Sequence, residues 1–92
     1  MTRSTDALVE VLGALADPVR LGIVRLLVDG EEWAGTTLAK RLGVSRALLC
    51  HHSAILLDAG LVTRRKQGKV GYLRLNAKGL RGPLKRLLSE MA

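Results

Sequence analysis

The sequence predicts a mainly α domain carrying one small β-hairpin, in the order α-α-α-α-β-β-α. Three observations point there. Apolar residues recur at helical spacing through the first 59 residues and again after Pro83. Residues 61–75 switch to strand-like segments around a "QGK" turn. Only Trp33 and Tyr72 are aromatic, so the core must be built from Leu, Val, Ile and Ala, which suits helices more than a β-sandwich. With 92 residues, and no repeat or dividing linker, residues 1–92 are expected to form a single domain.

The elements follow in order. "STDALVEVLGALA" (4–16) has Leu8, Val11, Leu12 and Leu15 at helical spacing, with Ser4 or Thr5 as the cap. In "DPVRLGIVRLLVDG" (17–30), Asp17 is the N-cap and Pro18 takes the first helical position, where its missing N–H costs nothing. Leu21, Val24, Leu27 and Val28 carry the stripe, and Gly30 is the natural stop. "EEWAG" reads as a connection. Thr36 or Thr37 is expected to cap the short helix around "LAKRL", which Gly43 breaks. Ser45 caps "RALLCHHSAILLDA", and Gly60 ends it. Residues 36–59 therefore read as a helix-turn-helix. Residues 61–75 supply a hairpin with a basic tip, a wing. "LRGP" interrupts the pattern before a last helix at 83–92, with Leu84, Leu87, Leu88 and Met91 on one face.

A helix-turn-helix followed by a two-stranded wing is a winged helix. So small a core need not cover the apolar faces of the first and last helices. Leu8, Val11, Leu12, Leu84, Leu87, Leu88 and Met91 are accordingly expected at a dimer interface, with 4–16 and 83–92 as the dimerisation helices. The formal net charge is +7, and beyond Lys40 only Asp58 and Glu90 oppose the Lys and Arg residues. A basic second half favours a polyanionic partner.

The chain's single Cys and its two His are adjacent, as Cys50, His51 and His52. On a helix, Cys50 and His52 lie about 160–200° apart and cannot share an ion. A structural zinc site needs three or four ligands, and there is no second Cys. Neighbouring side chains also diverge too far for a Cys–His nucleophile. No catalytic residue, metal site or cofactor is expected. At about 100° per residue, Leu48, Leu49, His52, Ile55, Leu56 and Ala59 form the core face, with His52 a half-buried structural histidine. Arg46, Ala47 and Cys50 point away, with His51 on the flank, so this helix is read as the recognition helix. Arg46 suits a guanine edge or a phosphate, and Ala47 a thymine methyl. Thr37, Ser45 and, on the wing, Arg64, Arg65, Lys66 and Lys69 complete the expected DNA contacts. One aromatic on the wing is too few for single-strand stacking.

"ALADPVRLGIVRLL" and "LAKRLGVSRALLCHHSAILLDAGLVTRRKQGKVGYLRLN" resemble the ArsR/SmtB family over about residues 7 to 76. The resemblance implies dimeric winged-helix repressors that bind operators and, in many members, release DNA when a metal or another inducer binds. It implies dimerisation through the first and last helices and DNA contact through the 45–59 helix and wing. The chain departs from the family pattern at its sensing positions. Where metal sensors often carry Cys-x-Cys, this chain has Ala34, Gly35 and Thr36, and its last helix has no His and only Glu90. Ser53 stands where a Leu is common and Leu57 where a charge is usual.

The expected function is a sequence-specific repressor, acting as a homodimer on a pseudo-palindromic double-stranded operator. An unidentified effector or partner protein is allowed for. The alternatives are a winged-helix protein-interaction module, a partner-dependent regulator, or a metal or thiol sensor using Cys50 and His51. The first residues lack an apolar signal-peptide core, and no apolar run suits a membrane span, so the expected compartment is the cytoplasm.

Overall fold

A computed structural model describes residues 3–91, with side chains from Asp6 to Met91. The elements are α1 (Arg3–Leu15), α2 (Pro18–Leu26), β1 (Trp33–Ala34), α3 (Gly35–Leu42), α4 (Arg46–Asp58), β2 (Val62–Gln67), β3 (Val70–Leu75) and α5 (Ala77–Glu90). Ile23 and Leu27 from α2 and its end, Leu38 from α3, Leu56 from α4 and Leu61 before the wing are fully buried at the centre. Val11 and Ala14 close the core from α1, and Val62 and Leu73 from the sheet.

Local chemistry sets most boundaries. Asp17 has extended backbone, and its Oδ2 accepts from the N–H groups of Val19 at 2.8 Å and Arg20 at 3.0 Å. Pro18 follows at the first helical position, as expected. The Ser45 hydroxyl accepts from the Leu48 N–H at 3.1 Å and starts α4. Gly43 (φ 68°) and Gly60 (φ 74°) take left-handed backbone at the ends of α3 and α4, where a side chain would be strained.

Several boundaries differ from expectation. α1 is already helical at Arg3, so Ser4 and Thr5 lie inside its first turn. α2 stops at Leu26, and Gly30 instead closes the turn after it, donating to the Leu27 carbonyl at 3.1 Å. α3 begins at Gly35, so Thr36 and Thr37 are helical and no side chain caps that helix. "EEWAG" is more than a connection, because Trp33 and Ala34 pair antiparallel with Leu73 and Tyr72. The hairpin thereby becomes a three-stranded sheet in the order β1-β3-β2. Two residues are too few to show a period-2 pattern, and both are half-buried.

The last helix is the largest correction. It starts at Ala77, and Pro83 sits inside it. Proline forfeits one hydrogen bond to the Gly79 carbonyl and strains that turn. The helix continues because its start is pinned. The Asn76 N–H donates to the Leu61 carbonyl at 2.8 Å, and Asn76 Nδ2 to the Gly60 carbonyl at 2.9 Å. Leu80 packs on the core. Gly79 lies so close to the Gly60 turn that a Cβ there would collide with the Gly60 carbonyl oxygen.

The core face of α4 is also shifted. Leu49, His52 and Leu56 are buried, Ser53 and Leu57 are half-buried, and Leu48 is 41% exposed. The buried stripe is rotated by about 40° toward Ser53, taking 100° per residue. The cause is the wing, which packs on that side of α4. Val28, expected in the stripe of α2, is 64% exposed beyond the end of that helix.

Two glycines of α5 give a paired test. Gly79→Ala should lower stability by roughly 1–3 kcal/mol through overpacking. Gly82→Ala meets no atom within 4 Å beyond its chain neighbours. Its gain in helix propensity of up to about 1 kcal/mol is opposed by the Pro83 ring, which disfavours helical backbone for a preceding residue with a Cβ, so its net effect should be small. Urea unfolding of both variants checks this, and equal effects would show that the Gly60 contact is not tight.

Candidate nucleic-acid interface

The position of α4 depends on a polar clasp beneath it. Arg20 Nε donates to the Ala14 carbonyl at 2.6 Å and Nη2 to the Gly13 carbonyl at 3.5 Å, serving the C-terminal end of α1. Its Nη1 lies 3.1 Å from His52 Nδ1 on α4. A guanidinium can only donate, so in this hydrogen bond His52 Nδ1 is the acceptor. Asp17 Oδ2 lies 3.8 Å from the same nitrogen. The backbone N–H of Arg20, and after it that of Val19, holds the Asp17 carboxyl below its ordinary pKa, and the Arg20 charge adds to this. His52 is thus the structural histidine expected, while Arg20 was not anticipated. Its partner is 32 residues away and no local pattern reveals it.

Held this way, α4 faces the wing across a cleft of about 350 Å³. Arg46 and Cys50 come from α4, and Arg64 and Lys69 from the wing. Leu49, Leu57 and Leu73 form the apolar floor. Thr36 lines it from α3, whereas the expected Thr37 is exposed outside it. Ser53 and Gly71 were also missed. Ser53 Oγ donates to the Cys50 carbonyl at 3.1 Å. Gly71 makes room for Arg64: a Cβ there would lie 3.0 Å from Arg64 Nε.

The other expected residues lie around this cleft. Ala47 and His51 are exposed on α4, and the Ser45 hydroxyl is used as the cap. Lys66 is exposed opposite Gly71. Arg65 turns elsewhere. Its Nε and Nη2 lie 3.0 and 3.1 Å from the two oxygens of Glu32, and its Nη1 donates to Gln67 Oε1 at 2.7 Å. The same guanidinium stacks 4.7 Å from the Tyr72 ring. The Arg65 hydrogen bond holds Glu32 below the usual carboxylate range, and Glu32 raises Arg65 in return. At the far end of the molecule α1 packs on α5. Leu12, Leu88 and Met91 are exposed there, and Leu8, Leu84 and Leu87 are half-buried. Val11 is only 2% exposed and belongs to its own chain's core, while Val9, not anticipated, is 54% exposed.

A short helix, a glycine turn and a capped second helix, flanked by a basic hairpin, define a winged helix-turn-helix domain. A helix-turn-helix domain family matches residues 15–65. The arsenical resistance operon repressor of Escherichia coli is 38% identical over 68 residues, covering 74% of this chain and 58% of that protein. The transcriptional repressor SdpR of Bacillus subtilis is 30% identical over 79 residues, covering 86% and 87%. The structure of HlyU from Vibrio cholerae superposes with a TM-score of 0.81 at 30% identity, covering 95% of this chain and 94% of that one. This chain belongs to the ArsR/SmtB family. It spans 50 to 58% of the length of the arsenical-resistance relatives from Halobacterium salinarum and Escherichia coli.

Both carboxylates have lowered folded-state pKa values. Their stabilisation is therefore complete above the ordinary carboxylate pKa and is lost as pH falls through the lower folded value. Wild-type stability should fall as the pH drops below the ordinary carboxylate range of about 4. Asp17→Asn and Glu32→Gln should each be less stable at pH 7 and lose less on acidification. Chemical denaturation at stepped pH reads this, and parallel curves for wild type and variants would remove these carboxylates from the acid response.

Proposed function

We propose that this chain is a sequence-specific DNA-binding repressor of transcription that acts as a homodimer. The observation that carries the reading is the α4–wing cleft. Arg46, Arg64 and Lys69 border it, and no acidic side chain lines it. The N-terminal turn of α4, which carries Arg46 and Ala47, is the part of a recognition helix that meets base edges. Lys69 at the wing tip suits phosphate neutralisation. The names of the relatives, an operon repressor and a transcriptional repressor, support repression. No helix among the described residues is long and apolar enough to cross a membrane.

Dimerisation rests on the apolar residues left open on α1 and α5. Leu12 is 44% exposed, Leu88 65% and Met91 74%. A two-fold dimer fits a pseudo-palindromic operator with half-sites about one helical turn apart, or a multiple of it. Repression here does not use the thiolate pair of metal-sensing members, because the single cysteine, Cys50, lies on α4 and α3 opens with Gly35 and Thr36.

Binding to labelled duplexes tiled across the chain's own promoter, each against a scrambled duplex at two salt concentrations, tests the function. One tile bound well above its control is expected. Equal binding everywhere, together with co-purification of an acidic protein, would favour a protein-docking wing. Arg46→Ala should cost roughly 1–3 kcal/mol on the specific duplex and relax base preference. Lys69→Ala should weaken all duplexes alike and reduce the salt slope by about 1. Arg65→Ala should leave that slope unchanged, since its guanidinium is engaged by Glu32 and Gln67.

The doubly substituted Leu88→Asp/Met91→Asp chain should sediment as a folded monomer. A dimer that persists would place the subunit contact on another face.

A further inference from the structure

The cleft between α4 and the wing has more structure than a phosphate track needs. It encloses about 350 Å³, within the range of small-molecule pockets. Its apolar floor is built from Leu49, Leu57 and Leu73, and its rim carries Arg46, Arg64 and Lys69. None of these three cations takes part in an ion pair among the described residues. Two helix starts also border it: Gly35 and Thr36 open α3, and Arg46 opens α4. α3 has no side-chain cap, so the partial positive charge of its first turn is not offset by a capping oxygen. Gly71 preserves the seat of the Arg64 guanidinium beside this floor. An apolar floor under a wholly cationic rim matches one ligand chemistry: a compact organic anion with an apolar body and one carboxylate, sulfonate or phosphate head.

We propose that this cleft is an effector site for amphipathic organic anions, and that its occupancy excludes DNA. The exclusion rests on the DNA-binding reading above, since Arg46, Arg64 and Lys69 would serve both ligands. Anion binding itself does not rest on it. The head group would take bidentate hydrogen bonds from Arg64 or Arg46, and the body would cover the leucine floor. Release of DNA would then be direct competition at one surface, with no relay through the subunit interface.

Cys50 gives the site its own reporter, because it lines the cleft, is exposed and is the chain's single thiol. The probe is 1-anilinonaphthalene-8-sulfonate, compared with N-phenyl-1-naphthylamine, which has the same apolar body without the sulfonate. The rate of Cys50 alkylation by N-ethylmaleimide is followed by mass spectrometry. Saturating sulfonate should slow it at least about tenfold, and the neutral analogue should leave it unchanged. Arg64→Ala should weaken sulfonate protection at least about fivefold. Ala54→Trp, which fills the cleft without removing a charge, should abolish sulfonate binding there, as read by probe fluorescence. Specific duplex should displace the sulfonate from wild type. Equal protection by both probes would overturn the proposal, since the cations would then play no part. Sulfonate fluorescence without slowed alkylation would also overturn it, placing the probe on another apolar surface such as α1 and α5. A chain that binds duplex yet gains no protection loses the effector site and keeps its DNA-binding reading. Protection in a chain without duplex affinity keeps the anion site and removes the DNA-binding reading.

Discussion

The Arg20 guanidinium is the interaction on which the arrangement of helices depends. α1 ends with carbonyls that need donors, α2 begins with N–H groups that need acceptors, and α4 must be set against both. Asp17 supplies the acceptors, and Arg20 supplies the donors while reaching His52. The clasp leaves no polar atom stranded in the interior: among the described residues no buried side-chain nitrogen or oxygen lacks a partner. An aliphatic core alone, built from interchangeable leucines and valines, specifies rotation about a helix axis weakly. A hydrogen bond with a single geometry specifies it well.

The wing's cations divide into two kinds. Arg65 is joined to Glu32, Gln67 and Tyr72, so it ties the hairpin to the segment before β1. Arg64 and Lys69 point into the cleft with Arg46. Adjacent residues on a strand face opposite ways, so one arginine can brace the hairpin while its neighbour faces α4. Lysine in place of Arg65 would lack the planar fork that meets both carboxylate oxygens.

Much of the fold was legible because its signals are local. Asp17 before Pro18, Gly43, Ser45 and Gly60 each act within four residues, and the structure uses each of them at or beside a helix end. The divergence of Cys50 from His52 followed from helical geometry alone, and the structure has Cys50 exposed and His52 buried. What was not legible depends on distant partners. β1 exists only because β3 pairs with it. Proline and glycine punctuation at 82–83 argued for a break, and the anchoring of Asn76 to Leu61 and Gly60 overrode it. The rotation of α4's buried face comes from the wing, and the engagement of Arg65 from Glu32, 33 residues earlier. Within the cleft, the helix register that selects Thr36 over Thr37 needed the start of α3 to one residue, finer than capping signals resolve.

Gly60 joins two halves of the molecule. Its carbonyl accepts from Asn76, and Gly79 passes against it with no room for a side chain. The turn that ends α4 and the first turn of α5 therefore meet backbone to backbone at Gly79, with the Asn76 amide bridging beside them. The spacing of these two helix ends is set by main-chain contact at residue 60, and no exchange of side-chain size elsewhere on α5 can alter it.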